Sequence, residues 1–398
     1  WKQFEGLLDS LMRYHRKAVA MVNENEVELI DYGMIDSSEK AYQISQKMSG
    51  DHLDLIFCNM VTYATSSVFA PIIRNCTVPV VLLALQPLKA LDYDKASTYM
   101  QLENDCICSV PEFTGVAVRL GNPVNDVIIG TLESDCQVTE KIAEWCNIAK
   151  VMHSLSGARI GLMGHVMEAM YDMHADPTAV SKAFGLHVPL LEIEDAVALY
   201  QEVTEAEINE KAKLIRQEFD MPVPKSDPLT EKLTESDLYD AAKAAVTLDK
   251  LVEKYHLTGL AYYYEGLNGS IQQKVSSTFI VGNSILNAQG IPMCGEYDLK
   301  TCIAMLIMDR LDIGGSFAEF HPFDFSEDFI LVGHDGPHHL KIAQGKPVLR
   351  SLKKFHGKPG CGASVEFKLK EGPITMLGIT QKGDGQFKFV IGEGESKA

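Results

Sequence analysis

The sequence is poor in basic residues and contains no long apolar run. Its 398 residues include 36 Lys and Arg against 54 Asp and Glu, which gives a formal net charge of −18. Such an acidic excess repels nucleic-acid phosphates and anionic lipid headgroups, so neither is expected as a partner. No apolar run approaches the roughly 18 residues that cross a bilayer, and no signal peptide opens the chain.

The cysteine pattern argues against a disulfide framework. The nine cysteines are odd in number and include no C-x-x-C pair. Cys106 and Cys108 are separated by one residue, which is too close for the usual zinc pairing and favours a structural role. The pattern is typical of buried thiols in a reducing compartment, so we predict a cytoplasmic protein.

The first 155 residues predict an α/β domain. A helical pattern covers 4–22, and strand-like runs at 27–33, 53–58 and 78–85 are separated by further helical patterns. Strands that alternate with helices predict a parallel sheet with right-handed crossovers. Because such a sheet normally starts with a strand and the chain has no initiating Met, we expect sequence to be missing at both ends, including the first strand.

Residues 156–312 predict a second α/β domain, so that two successive Rossmann-like domains are expected. A proline-containing connector over 221–232 precedes a long helical pattern, with Ser236 or Asp237 as its N-cap. Strand-like runs lie at 157–164, 188–194 and 257–264.

Residues 313–398 change to an antiparallel β pattern. The stretch 363–392 contains three strand-like runs separated by "KEGP" and "KGDG", which are hairpin signals. We therefore predict an antiparallel, barrel-like or meander C-terminal domain.

Three side chains in the second half of the chain favour a metal site. Glu296 follows a short apolar run before a helix predicted over 299–310, Glu319 lies in an aromatic segment, and His334 ends an apolar strand. Two carboxylates and an imidazole suit a divalent ion such as Mn²⁺. The spacing alone leaves ordinary roles open, namely a helix N-terminal acid, a solvent-exposed acid and a turn residue, respectively.

This region resembles the core of the L-arabinose isomerase and L-fucose isomerase superfamily. "GEYDLKT" (295–301), "GGSFAEF" (314–320) and "ILVGHDGP" (330–337) follow the order of the G-E-x-D-x-K-T motif, the G-G-(T)-S-F-x-E motif and the histidine-ending strand of the arabinose enzymes. The resemblance is specific over about 290–340 and looser elsewhere. Because "HDGP" and "FHPFDF" differ from the arabinose enzymes proper, the chain resembles a divergent, arabinose-isomerase-like member.

The resemblance implies a metal-dependent aldose–ketose isomerase acting on a monosaccharide. It implies that Glu296 and Glu319 both bind the metal and move protons, and that His334 binds the metal, which is Mn²⁺ or another divalent cation such as Mg²⁺ or Co²⁺. A second histidine ligand is expected beyond residue 398. A homo-oligomer, hexamer or tetramer, is also implied. Of the two chemical routes, paired carboxylates favour proton transfer through an enediol over hydride transfer.

Further residues are candidates for substrate binding. Glu265 follows a buried-looking strand, His321 could orient a sugar hydroxyl, and Met167 resembles a pocket residue of the arabinose enzymes. Each has an ordinary alternative: a helix start, a packed loop histidine and a core methionine, respectively. Asp335, His338 and His339 are predicted to be turn and surface residues.

Two other functions stay open at this stage. Two successive α/β units also describe non-catalytic sugar-binding proteins of the periplasmic type, although such a cleft would not bring two carboxylates together. An inactive isomerase relative is the other alternative, and loss of the late histidine would favour it.

Overall fold

The computed structural model describes residues 3–222, 230–352, 354–355 and 358–397. It forms two compact units, residues 1–153 and 154–398. Part of the predicted connector over 221–232 lies outside the described residues. The division into domains at 1–155, 156–312 and 313–398 stays a prediction.

The first unit is a parallel three-stranded sheet with helices on both faces. β2 is the central strand in the order β1-β2-β3, with Ile56 paired to Val80 and Val81 to Asp126. Its helices are α1 (Leu7–Asn23), α2 (Ser38–Met48), α3 (Ala70–Ile73), α4 (Thr98–Asn104), α5 (Val110–Arg119) and α6 (Cys136–Ser156), with 3₁₀ turns at Ser66–Val68 and Tyr93–Lys95. Its strands are β1 (Ile56–Asn59), β2 (Val80–Gln86) and β3 (Asp126–Thr131).

The alternation of side chains along β2 explains why both faces are covered. Val81 and Leu83 pack on one face in a cluster with Ile142 of α6, whereas Leu82 packs on the other face in a cluster with Phe113 of α5. Successive strand residues point to opposite faces, so a continuous apolar run requires a layer of helices on each side.

The strand predicted over 27–33 is wrong. These residues are described and belong to no strand. Val27 and Leu29 do pack against the core, which accounts for the alternating pattern. Their backbone, however, is not paired with a neighbouring strand, and a strand depends on that pairing.

The second unit contains a parallel four-stranded sheet in the order β5-β4-β7-β8. Ile160 pairs with Gly259 and Leu260 pairs with Met293, so all carboxyl ends lie at one edge. Its helices are α7 (Pro177–Phe184), α8 (Ile193–Glu202), α9 (Glu205–Glu218), α10 (Glu235–Tyr255), α11 (Ile271–Ser277), α12 (Ile280–Ala288) and α13 (Leu299–Arg310), with 3₁₀ turns at Tyr171–Met173 and Leu340–Ile342. The strands of this sheet are β4 (Ile160–Met163), β5 (Leu190–Leu191), β7 (Gly259–Tyr262) and β8 (Met293–Cys294), and β6 is Thr230–Glu231.

Helix α10 begins earlier than predicted. Its N-cap is Thr234, whose side chain accepts from the backbone N–H of Asp237 at 3.1 Å. In turn, the backbone N–H of Thr234 donates to the Asp237 carboxylate at 2.9 Å, and the two bonds form a capping box. The prediction of Ser236 or Asp237 as the cap was therefore wrong, because Asp237 is the third helical residue.

The C-terminal strands are antiparallel, as predicted, but they fall into separate small sheets. β9 pairs with β10, β11 lies between β14 and β6, β12 pairs with β13, and β15 pairs with β16. The "KGDG" hairpin is confirmed, whereas the run before "KEGP" pairs with β11 instead of the next strand. A single barrel is therefore not confirmed. These strands are β9 (Glu319–Asp324), β10 (Phe329–Gly333), β11 (Val348–Leu352), β12 (Lys354–Phe355), β13 (Lys358–Pro359), β14 (Ala363–Glu366), β15 (Gly372–Gln381) and β16 (Phe387–Ser396).

Among the described residues, no helix combines the length and the apolar character that crossing a bilayer requires.

Candidate functional site

Glu296 lies at the carboxyl edge of the parallel sheet, two residues after β8. It is 4% exposed, and both Glu296 and Tyr297 adopt left-handed backbone angles with φ of 62°. The turn is fixed because the Tyr297 N–H donates to the carbonyl of Tyr262 at 2.9 Å. Asp298 then caps α13 through the Thr301 N–H at 3.1 Å. Left-handed angles are unfavourable for non-glycine residues, so the fold maintains a strained turn that directs Glu296.

Glu319 and His334 are brought together by the register of the β9–β10 pair. Glu319, the first residue of β9, is paired with Gly333, the last residue of β10. His334 follows directly, so residues 15 apart in sequence lie at the same end of the hairpin. The His321 ring lies on this side too, 3.8 Å from where a Cβ atom of Gly333 would stand.

Glu296 and His334 line the same pocket. The pocket lies at the end of β7, the end of α11 and the start of α12, and its walls combine phenol, hydroxyl, carboxyl and imidazole groups. Its lining residues are Tyr262, Tyr264, Ser276, Ser277, Ile280, Gly295, Glu296, His334, Asp335 and Pro337.

The pKa of Glu296 is shifted by burial and by the acidic side chains near it. Burial first, and then the negative charges of Glu319, Asp298 and Asp172, together raise the pKa of Glu296 to about 7. The pKa of Tyr264 is also raised, first by burial and then by charges that include those of Glu296 and Glu319. Glu319 is therefore close enough to influence both groups, even though it precedes His334 on a separate hairpin.

The donor types around this pocket fit a divalent cation. One carboxylate oxygen of Glu296, Oε2, is buried and has no hydrogen-bond partner in the described part of the chain. A buried carboxyl oxygen that accepts no hydrogen bond is stable only when it binds a cation or carries a proton. Glu319 and His334 add the carboxylate and imidazole donors that such an ion accepts. No three His, Cys, Asp or Glu side chains among the described residues already have the geometry of a metal centre.

The candidate substrate residues lie at different distances from this pocket. Glu265 is half-buried and follows the end of β7, and its charge raises the pKa of Tyr264, a pocket residue. Met167 is 6% exposed and belongs to the core cluster around Leu260, outside the pocket lining. Its role in substrate binding stays a prediction.

The prediction of His338 and His339 as surface residues is wrong. His339 is 2% exposed, and its Nδ1 accepts from the Lys341 N–H at 3.3 Å, which caps the 3₁₀ turn. Burial lowers the pKa of His338 to about 4, and its ring contacts Phe367 at 5.1 Å between centroids. A "GPHH" turn carries no periodicity, so sequence patterns gave no indication of this burial. Asp335 is exposed, as predicted.

Sequence reasoning also missed Lys300, which is 7% exposed at the start of α13. Its ammonium group donates to the carbonyl of Asp172 at 2.6 Å and lies 3.8 Å from the Asp298 carboxylate. It thus fixes the loop after β4 beside the acids that influence Glu296. The "EYDLKT" segment contained this lysine, but its partner loop is 128 residues away.

Known proteins similar to this chain share one description. Residues 159–314 match the family described as the L-arabinose isomerase central domain. The chain is 25% identical over 325 residues to an L-arabinose isomerase of Nocardioides sp., covering 80% of this chain and 62% of that protein. It is 23% identical to L-arabinose isomerases of Yersinia pestis and Yersinia pseudotuberculosis, covering 77% and 70% of this chain and 59% and 55% of those proteins.

The chain therefore spans less than two thirds of the length of these curated relatives. The match to the central domain covers β4 to the end of α13, which includes Glu296 and its strained turn. Glu319 and His334 follow directly after it, within the stretch whose motifs carry the resemblance. Over its central region and most of its length, the chain is therefore similar to L-arabinose isomerases.

Proposed function

We propose that this chain is a metal-dependent aldose–ketose isomerase that acts on a free monosaccharide with a pair of glutamates. The observation that carries the proposal is the buried carboxyl of Glu296, whose pKa is raised to about 7 partly by Glu319. A carboxyl with a pKa near neutrality can accept and release a proton at cellular pH. The relatives' name, L-arabinose isomerase, supports the same reaction class.

The reaction requires two proton transfers in an open-chain sugar. A proton leaves C2 of the aldose, an enediol forms, and a proton is delivered to C1, while the hydroxyl proton of O2 moves to O1. One of Glu296 and Glu319 would move the proton between the carbons, and the other would move it between the oxygens. A divalent cation bound by Glu296, Glu319 and His334 would stabilise negative charge on the two oxygens during the transfer.

The pocket supports a polyhydroxylated ligand. Its lining residues include Tyr262, Ser276, Ser277 and Asp335, whose hydroxyl and carboxylate groups are of the kinds that pair with sugar hydroxyls. Glu265 and His321 would contact the sugar from the end of β7 and from β9. The identity of the sugar and the assembly into a homo-oligomer stay predictions.

A comparison of wild type with Glu319→Gln in Mn²⁺ tests this proposal. The amide keeps the shape of the side chain but can neither accept the proton nor provide an anionic ligand. We expect kcat for aldose-to-ketose conversion to fall by about 10²- to 10⁴-fold. Turnover by wild type with added Mn²⁺ after chelator treatment should be measured by the ketose formed, with bound metal quantified in the same samples.

Glu327→Gln is the matched control, because Glu327 is an exposed glutamate in the turn of the same hairpin. It should retain wild-type activity and metal content. Unchanged turnover in Glu319→Gln would contradict the proposal.

An inactive relative is the second candidate. It is favoured by one observation: no ligand set of three side chains is already assembled in the described residues. Such a protein would bind a sugar without turnover at any Mn²⁺ concentration, so the wild-type assay distinguishes the two functions.

A further inference from the structure

A ladder of buried amides ends at the hydroxyl of Tyr262, one of the pocket residues. The Met293 N–H donates to Asn287 Oδ1 at 2.6 Å, Asn287 Nδ2 donates to Asn283 Oδ1 at 2.8 Å, and Asn283 Nδ2 donates to the Tyr262 hydroxyl oxygen at 3.0 Å. None of these four residues is more than 2% exposed.

The direction of every bond in this ladder follows from its first member. A backbone N–H can only donate, so the atom of Asn287 that faces Met293 must be the amide oxygen. The NH₂ group of Asn287 then faces Asn283, which must present its own oxygen. The NH₂ group of Asn283 therefore faces Tyr262, and the assignment of these amides does not depend on a free choice of orientation.

The phenol oxygen of Tyr262 must consequently act as an acceptor towards Asn283. Its single proton is left for a different acceptor, because no other group among the described residues accepts a hydrogen bond from it. The ring is also fixed, because it packs edge-on against Phe279 with centroids 5.4 Å apart. Tyr262 lines the pocket together with Glu296 and His334, so the pocket is where its proton can find an oxygen.

We propose that the Tyr262 hydroxyl donates a hydrogen bond to an oxygen of the open-chain sugar, and that Asn283 and Asn287 are positioning residues that fix its direction. The proposal rests on the function proposed above and adds a hydrogen-bond donor that does not itself exchange protons during the reaction. Sugar oxygens gain negative charge as the enediol forms, and a donor oriented in advance stabilises that charge at no cost of reorganisation.

The environment of Tyr262 suits a donor and not a base. Burial raises its pKa well above the ordinary value, and the nearby charge of Glu296 raises it further. The phenol therefore keeps its proton at neutral pH, where the glutamates and not Tyr262 exchange protons.

The first test compares Tyr262→Phe with Tyr255→Phe. Tyr255 also donates a hydrogen bond through its hydroxyl, to Asp195 at 2.6 Å, but it lies outside the pocket lining. In the Mn²⁺-loaded protein we expect kcat/KM of Tyr262→Phe to fall about 10- to 100-fold and that of Tyr255→Phe to stay within twofold of wild type. A Tyr262→Phe protein with wild-type kcat/KM would overturn the proposal.

The second test asks whether Asn283 acts through Tyr262. Asn283→Leu keeps the side-chain shape but removes both the donor to Tyr262 and the acceptor of the Asn287 amide, so it should lower kcat/KM by about 3- to 10-fold. In the Tyr262→Phe background the same substitution should have no further effect, because the group that it orients is gone. Equal effects in both backgrounds would mean a structural role alone and would overturn the positioning assignment. If Tyr262→Phe fails to fold, Asn283→Leu decides, since it leaves the phenol in place.

Binding of xylitol, an open-chain polyol that cannot be isomerised, separates this proposal from the function on which it rests. Calorimetry should give a Kd about 10-fold weaker for Tyr262→Phe than for wild type and unchanged for Tyr255→Phe. Weakened polyol binding without any wild-type turnover would overturn the isomerase function and support the donor. Absence of polyol binding by wild type would overturn the assignment of Tyr262 itself.

Discussion

At the scale of single residues, the buried carboxyl of Glu296 should make the stability of the metal-free protein depend on pH. Its pKa is raised from 4.5 to about 7, so the folded state retains a proton that the unfolded chain loses earlier. The stabilisation is complete below pH 4.5 and is lost as pH rises through about 7. Relative to the neutral Glu296→Gln variant, the free energy of unfolding of wild type should fall by up to about 3 kcal/mol over this interval. Above it, the difference between the two proteins should stay constant.

Urea unfolding in EDTA between pH 4.5 and 8 measures this difference. Glu327→Gln provides the control, because its exposed carboxyl should give the same free energy of unfolding as wild type at each pH. A difference between wild type and Glu296→Gln that does not change with pH would contradict the prediction.

Sequence motifs predicted Glu296 and Glu319 as site residues but did not predict the burial and charge around them. Burial contributes most to the raised pKa of Glu296, and one of the charges that add to it belongs to Asp172, which lies 124 positions away on a different loop. The His339 ring is buried against Gly314, a residue of a different loop, with Cε1 3.4 Å from where a Cβ atom would stand. A motif reports which residue types recur, whereas burial and charge depend on what the fold brings beside them.

At the scale of elements, the packing of α12 on α10 should tolerate no side chain at Gly282. A Cβ atom there would stand 2.7 Å from the Cα atom of Ala245 on α10. The two helix backbones would have to separate, so we expect Gly282→Ala to lower the free energy of unfolding by about 1–3 kcal/mol. Because α12 also carries Asn283 and Asn287, part of the ladder to Tyr262 should move with it.

Gly115→Ala is the control for this substitution. Gly115 lies on α5 with no atom within 4 Å of the added methyl group, so alanine should stabilise by up to about 1 kcal/mol. Chemical unfolding measures both variants. Equal effects of the two substitutions would argue against the close helix contact.

Elements with local signals were predicted well, and those with non-local causes were not. Helix α13 was predicted at 299–310 and is observed at Leu299–Arg310, because Asp298 provides a cap within the same segment. The strand expected over 27–33 has the right alternation but no paired neighbour. The segment 188–194 splits into the short β5 and the start of α8, since the capping box between Glu192 and Asp195 begins a helix there.

At the scale of the whole molecule, the class of fold was predictable and the partnering of its last strands was not. Helix and strand alternation correctly indicated parallel sheets, and β15 and β16 form the hairpin that "KGDG" specifies. Strand β14, however, pairs with β11, whose residues come earlier in the chain. The sheet edge with which a strand pairs is determined by contacts across the whole unit, and the sequence of a turn does not indicate these contacts.

The distribution of cysteines leads to a prediction for the whole chain. Cys108 and Cys136 are exposed, whereas Cys106, Cys146, Cys294 and Cys302 are buried. Burial raises the pKa of Cys106 to about 11 and that of Cys302 further, so these thiols are neither ionised nor accessible. In the native protein, Ellman's reagent should label Cys108 and Cys136 in a fast phase, and Cys294 and Cys302 only at the rate of global unfolding.

Mass spectrometry of quenched samples assigns each labelled thiol, and 6 M guanidinium should expose all nine cysteines. The double variant Cys108→Ser/Cys136→Ser should lose the fast phase and retain the slow one. Rapid labelling of Cys294 would be the decisive contrary result, because this residue ends β8 two positions before Glu296 and is 0% exposed. Slow labelling of Cys294 therefore indicates that β8, the strand before Glu296, stays packed in its sheet. Saturating Mn²⁺ should slow the labelling of Cys294 further if the cation binds the folded state.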